Sequence, residues 1–170
     1  MPGWLRRFWW AVALVVFGAV GVGVWLSQAS NTSRNLPPPR ARVYTQFTAC
    51  LLTDSDGVTA AESAPVWAGM QAASLNTLRK ISYLAVSGPD TVANAEAFVN
   101  TLVQRKCDLV LAVGEPQVAA AETQAKVYPA QRFVVVGAGV SGGNLIVIPG
   151  GSAQQVQSAV AQAVQSAPQR

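Results

Sequence analysis

The side chains through which this chain could do chemistry are carboxylates. Asp54 and Asp56 sit in Thr53-Asp54-Ser55-Asp56-Gly57, and Glu115 sits in Gly114-Glu115-Pro116. Each segment directly follows a short apolar run. Brought around one crevice, the three carboxylates can accept hydrogen bonds from sugar hydroxyls or hold a cation. An equally physical reading is local, because Asp54 and Asp56 can stabilise a turn through side-chain to backbone bonds. Two carboxylates and a glycine fall short of a calcium loop. Histidine is absent from the sequence, which removes Ser-His-Asp and Cys-His nucleophilic systems and His-ligated zinc together. No catalytic residue, resident metal or cofactor is expected, and the reading is non-enzymatic.

Two glycine motifs invite other chemistry. Gly137-Ala138-Gly139-Val140-Ser141-Gly142 matches G-x-G-x-x-G, but a dinucleotide fingerprint must open a helix, and here the glycines run into Asn144-Leu145-Ile146-Val147-Ile148, a strand pattern. The overlapping Gly139-Val140-Ser141-Gly142-Gly143 matches G-x-S-x-G, yet a nucleophile elbow also needs a following helix and a base. A glycine-rich connection accounts for both. Cys50 and Cys107 lack C-x-x-C spacing, so neither a metal knuckle nor a thioredoxin-like site is implied. They are either buried and inert in their strands or, in an oxidising compartment, paired as a disulfide.

These residues need elements to hold them. From residue 43 onward short apolar runs alternate with amphipathic stretches, the pattern of a parallel sheet covered on both faces by helices. Strands are predicted over 43–52, 81–86, 108–113, 133–136 and 145–148. The first helix starts near Ser63-Ala64-Pro65 and should turn Trp67, Met70, Ser74 and Leu78 to one face. Asp90 can cap a second helix carrying Val92, Ala95, Val99 and Leu102. A third runs over 117–126, ahead of Tyr128-Pro129. The last opens at Ser152-Ala153-Gln154-Gln155, a capping box, and carries Val156, Val160 and Val164 on one stripe. The expected fold class is therefore α/β, a single doubly wound parallel sheet of about five strands, flavodoxin-like or periplasmic-binding-protein-like, in the order 2-1-3-4-5. Ligands of such sheets bind beyond the carboxyl ends of the strands at the switch point. That rule selects the loops after the first and third strands, where the carboxylates lie.

Ahead of this domain, residues 8–26 read FWWAVALVVFGAVGVGVWL, with no charge between Arg7 and Arg34. The run reaches the roughly 20 apolar residues that span a bilayer. Trp9, Trp10 and Trp25 suit the two interfaces, and Arg6 and Arg7 keep a short tail, 1–7, in the cytoplasm. The expected organisation is a signal anchor over 8–26, a spacer over 27–42 stiffened by Pro37-Pro38-Pro39, and an extracytoplasmic domain over 43–170. The alternative is secretion after signal-peptide cleavage near Ala29, although the run exceeds the about 7 to 15 residues of an ordinary signal-peptide core. The spacer leaves about 130 of the 170 residues, enough for one domain. Basic residues outnumber acidic ones 12 to 8, but without Arg6 and Arg7 the balance from Arg34 onward is ten to eight. No nucleic-acid footprint remains.

The order and spacing of several pieces carry a resemblance. Ala49-Cys50-Leu51-Leu52-Thr53-Asp54, then Gly57, Trp67-Ala68-Gly69-Met70, Cys107-Asp108-Leu109-Val110-Leu111-Ala112-Val113-Gly114, Tyr128-Pro129 and Asn144 together resemble the N-terminal lobe of the basic membrane protein (BMP) family. These PnrA-like proteins are substrate-binding proteins of ABC transporters for purine nucleosides. The resemblance spans roughly 42–148 to a family whose members are two-lobed, and it implies a ligand-side position at Asp54, with Gly57 as its turn partner and Gly114 at the next strand end, and a place outside the cytoplasmic membrane. The family's Phe and Asn, which help hold the base, have no counterpart in Gly57-Val58-Thr59-Ala60-Ala61-Glu62-Ser63-Ala64, and the second lobe is replaced by one helix over 152–167. The expectation is a membrane-anchored solute-binding-like domain with weakened or lost binding at Asp54, Asp56, Gly57, Gly114 and Glu115. A nucleoside-like solute would need a homodimer or a membrane partner protein as second wall. The alternative is a structural, sensor or accessory interaction module at the membrane surface.

Overall fold

The computed structural model describes residues 43–168. The tail, the anchor over 8–26 and the spacer over 27–42 lie outside the described residues. Among the described residues no helix is long and apolar enough to cross a membrane. The chain runs β1 (Thr48–Thr53), a short 3-10 turn (Gly57–Thr59), α1 (Ser63–Thr77), β2 (Lys80–Ala85), α2 (Val92–Gln104), β3 (Leu109–Val113), α3 (Glu115–Val127), β4 (Arg132–Val136), β5 (Leu145–Ile148) and α4 (Ala153–Ser166). All neighbouring strands pair parallel in the order β2-β1-β3-β4-β5, as the sequence predicts.

Side-chain alternation along the strands builds two apolar layers. Ala49, Leu51, Leu109, Leu111 and Val134 point towards α1 and α4, where they meet Val66, Met70, Val156, Val160 and Val164. Cys50, Leu52, Val110, Ala112 and Phe133 point the other way, towards α2 and α3. Every residue of β3 is buried, as a doubly covered central strand requires. The two helix pairs therefore lie on opposite faces, and the crossovers diverge between β1 and β3. That divergence is the switch point.

Several local expectations shift, each for a visible reason. β1 begins at Thr48 rather than at 43, because its ladder with β2 starts at Thr48 and Lys80 and earlier residues have no strand beside them. The buried face of α1 is Ser63, Val66, Gly69, Met70, Ala73 and Ser74, which includes the expected Met70 and Ser74. Leu78 leaves that face because it takes the left-handed conformation (φ 57°) that ends the helix. Trp67 stays on the rim, edge-on to Tyr83 with ring centroids 5.5 Å apart. Gly69 has its own reason to be small, since a Cβ there would come within 2.5 Å of the Gln157 carbonyl of α4. The cap of α2 is Thr91, whose Oγ1 accepts from Asn94 N at 3.3 Å, and not Asp90. α3 begins two residues early, so Glu115 and Pro116 form its first turn and Gly114 alone connects it to β3. α4 carries the expected capping box at Ser152 and Gln155.

Polar side chains fasten the remaining corners. Cys50 and Cys107 form a disulfide, with Cα atoms 5.9 Å apart, choosing the paired reading over the inert one. Asn144 Nδ2 donates towards the carbonyls of Ala125, Tyr128 and Gln131, which ties the start of β5 to the end of α3. Arg79 is buried, lies over the Phe47 ring at 4.1 Å and donates to the carbonyls of Val164 and Ala167 at the end of α4. Burial lowers its pKa from the ordinary arginine value, and the nearby Asp108 charge opposes that shift. The glycine-rich segment after β4 does lead into a strand, and Ser141 Oγ accepts from Val147 N at 2.8 Å as a brace within that connection.

Candidate functional site

At the carboxyl ends of β1 and β3 the divergence of the crossovers opens a cleft of about 590 Å³. Asp54 enters it from the end of β1. Its Oδ1 accepts from Asp56 N at 3.1 Å and its carbonyl accepts from Gly57 N at 3.2 Å, so the same residue closes the turn and faces the cleft. Gly114 and Glu115 enter from the β3 to α3 junction. Gly114 has φ +100°, a conformation that favours glycine, and this lets the chain turn directly from strand to helix. Glu115 in the first turn of α3 complements the positive end of the helix dipole.

Three of the five predicted positions thus converge, Asp54, Gly114 and Glu115. Asp56 and Gly57 lie beyond the lining. Asp56 is exposed and its carbonyl accepts from Thr59 Oγ1, while buried Gly57 (φ +68°) turns towards Tyr83. Three polar residues not predicted as site residues join the cleft: Glu62, just before α1, and Asp90 and Thr91, just before α2. A fourth is Gln117, in the first turn of α3. Its side chain is 1 % exposed, and neither Oε1 nor Nε2 has a hydrogen-bond partner. The carboxamide lies against Gly114, where any Cβ would collide with Oε1. It is the backbone conformation at 114 that calls for glycine, and the end of the Gln117 side chain occupies the space beside it. Among the described residues no lysine, arginine or aromatic ring lines this cleft.

A second hollow of about 350 Å³ adjoins it beyond Glu62, between the starts of α1 and α4 and past the ends of β3 and β4. Pro65, Val113 and Val156 make its walls apolar, and Gly137, Gly150 and Gly151 leave it open. The carboxyl edge of the sheet thus offers a polar cleft next to a less polar one, with Glu62 lining both.

No protein-family model and no curated protein matches the chain. Solved structures do match in fold. A protein assigned as a lipoprotein from Peptoclostridium difficile 630, solved as a fragment, aligns over 72 % of this chain and 91 % of its own, with 17 % identity and a TM-score of 0.53. A solute-binding protein of an ABC transporter system from Aeropyrum pernix K1 aligns over 59 % of this chain with 18 % identity and a TM-score of 0.51. The likeness is one of fold, a doubly wound, five-stranded parallel sheet. The chain spans 28 % of the length of the Aeropyrum protein. The likeness stops at the fold and does not reach the BMP family.

In a doubly wound parallel sheet the carboxyl edge at the switch point is where ligands bind. Asp90 and Glu62 had a faint signal, as acidic residues next to helix starts. Gln117 had none, because a glutamine in an Ala-rich helix reads as solvated.

Proposed function

We propose that this chain is a membrane-anchored, extracytoplasmic, solute-binding-like domain, non-enzymatic and related to the N-terminal lobe of BMP family transport proteins. Its ligand contacts are Asp54, Gly114 and Glu115, and its affinity is lower than that of a two-walled site. One observation carries the reading: the cleft at the switch point, where the chain ends of β1 and β3 bring separate polar groups to one place. The disulfide supports the compartment, since such bonds persist in oxidising surroundings. The run over 8–26 supports the tether.

A single sheet supplies one side of a clamp, and burying most of a small solute takes a concave pocket. A second copy of the chain or a membrane partner protein supplies the other side in this reading. Thermal-shift titration of the full chain in detergent against a solute panel that includes purine nucleosides tests it. A saturable rise in Tm is the expected result. No rise with any solute at millimolar concentration removes the solute-binding reading. The lack of an aromatic ring in the cleft favours a second reading, an accessory interaction module, which predicts a protein partner that co-purifies from membranes without any solute.

A further inference from the structure

Resting on the reading of the cleft as a solute site, we infer that its ligand is a small organic cation, a protonated amine that also carries a hydroxyl or amide group. Four carboxylates, Asp54, Glu62, Asp90 and Glu115, line the cleft, and no basic side chain among the described residues is there to neutralise them. Such a lining repels anionic solutes and attracts cations. Among the described residues no three Asp, Glu, Cys or His side chains gather closely enough to hold a metal ion. The carboxylates are spread along the cleft, which suits an extended organic cation better than a point charge.

The second observation is independent of charge. Gln117 is nearly fully buried at the cleft with a donor and an acceptor both unused. Buried polar groups are ordinarily paired, and an orphan marks a place where a partner belongs. A hydroxyl or amide both donates and accepts, so one such group satisfies Oε1 and Nε2 together. The carboxamide packs against Gly114, which also lines the cleft. Thr91 Oγ1, which caps α2 and also lines the cleft, adds a further hydroxyl on the same rim. The ammonium end meets carboxylates and the neutral end meets Gln117.

The experiment is calorimetric titration of the full chain in detergent with three cationic probes that each carry a hydroxyl or amide, glucosamine, ethanolamine and glycinamide. Glucose, glucuronate and inosine serve as neutral and anionic controls. The expected result is binding of at least one cation, tighter than every control by about tenfold or more, and weakened by added salt. Glu115→Gln, at an exposed position, should weaken that cation by about three- to tenfold, and Gln117→Met should weaken it while raising Tm. A control that binds as tightly as the best cation overturns the charge inference and leaves the solute-binding reading standing. Silence from all three cations also overturns it, and silence from every solute removes both readings.

Discussion

Replacing Cys50 and Cys107 together with alanine should cost this domain about 4 kcal/mol. The bridge closes a sequence separation of 57 residues. In the chain-entropy treatment a loop of that size lowers the entropy of the unfolded chain enough to stabilise the fold by about 4 kcal/mol at 25 °C. The geometry concentrates the effect, because Cys50 is in the middle of β1 while Cys107 stands just before β3, the two strands that flank the switch point. For the 126 described residues the unfolding entropy is about 0.26 kcal/mol/K, so the loss corresponds to a fall in Tm of roughly 15 °C. Urea unfolding with and without reductant measures the same quantity on the unmodified protein. The double variant should behave like the reduced protein and ignore reductant. A difference under about 1 kcal/mol between oxidised and reduced protein would refute the entropic account. Labelling of both thiols by iodoacetamide in denaturant without reductant would refute the bridge itself.

Gly69→Ala should destabilise by about 1–2 kcal/mol although alanine is the better helix former, because the added carbon strikes the Gln157 carbonyl. A more stable variant by urea titration would mean that α1 and α4 separate freely. Arg79→Met should cost about 2–4 kcal/mol, since it strips two charge-assisted bonds from the Val164 and Ala167 carbonyls at the end of α4. Hydrogen exchange should then rise first in α4, and uniform loss of protection would contradict a local clasp. Gln117→Met removes an unpaired buried carboxamide and should stabilise by about 1–3 kcal/mol. Lower stability in the ligand-free variant would show that the carboxamide is paired after all.

Most of the fold could be read from residue patterns because strand and helix periods differ and little competes with them. The continuous apolar runs of β3 and β4 allow only a doubly covered strand, and Val156, Val160 and Val164 allow only one buried stripe on α4. What misled was local degeneracy. Asp90 and Thr91 are both competent caps, and the choice went to Thr91, which is extended at φ −132° and ψ 152° ahead of Asn94. Tyr44 and Thr45 favour a strand locally, yet Thr45 N bonds the Leu78 carbonyl at the end of α1 and not a neighbouring strand. Leu78 continued an apolar stripe by count but left it through one left-handed turn. The site was half legible for a related reason. The switch-point rule finds Asp54 and Glu115 because they follow directly on the two strands involved. Glu62 and Asp90 arrive from other connections, and only the three-dimensional convergence of helix starts gathers them.

That convergence bears on why the domain needs its two fasteners. A cleft lined by four carboxylates, with an unpaired carboxamide beside Gly114, leaves hydrogen-bonding capacity unused. The carboxamide opposes folding in the absence of a ligand by about 1–3 kcal/mol. The opposing terms lie away from the cleft. The disulfide ties β1 to the start of β3, and the Arg79 clasp holds α4 over the sheet near the opposite, amino ends of the strands. Strain tolerated at one edge and stability supplied from elsewhere is how binding sites persist in marginally stable domains. If the carboxamide and carboxylates served only packing, replacing them would have been the simpler route to the same stability.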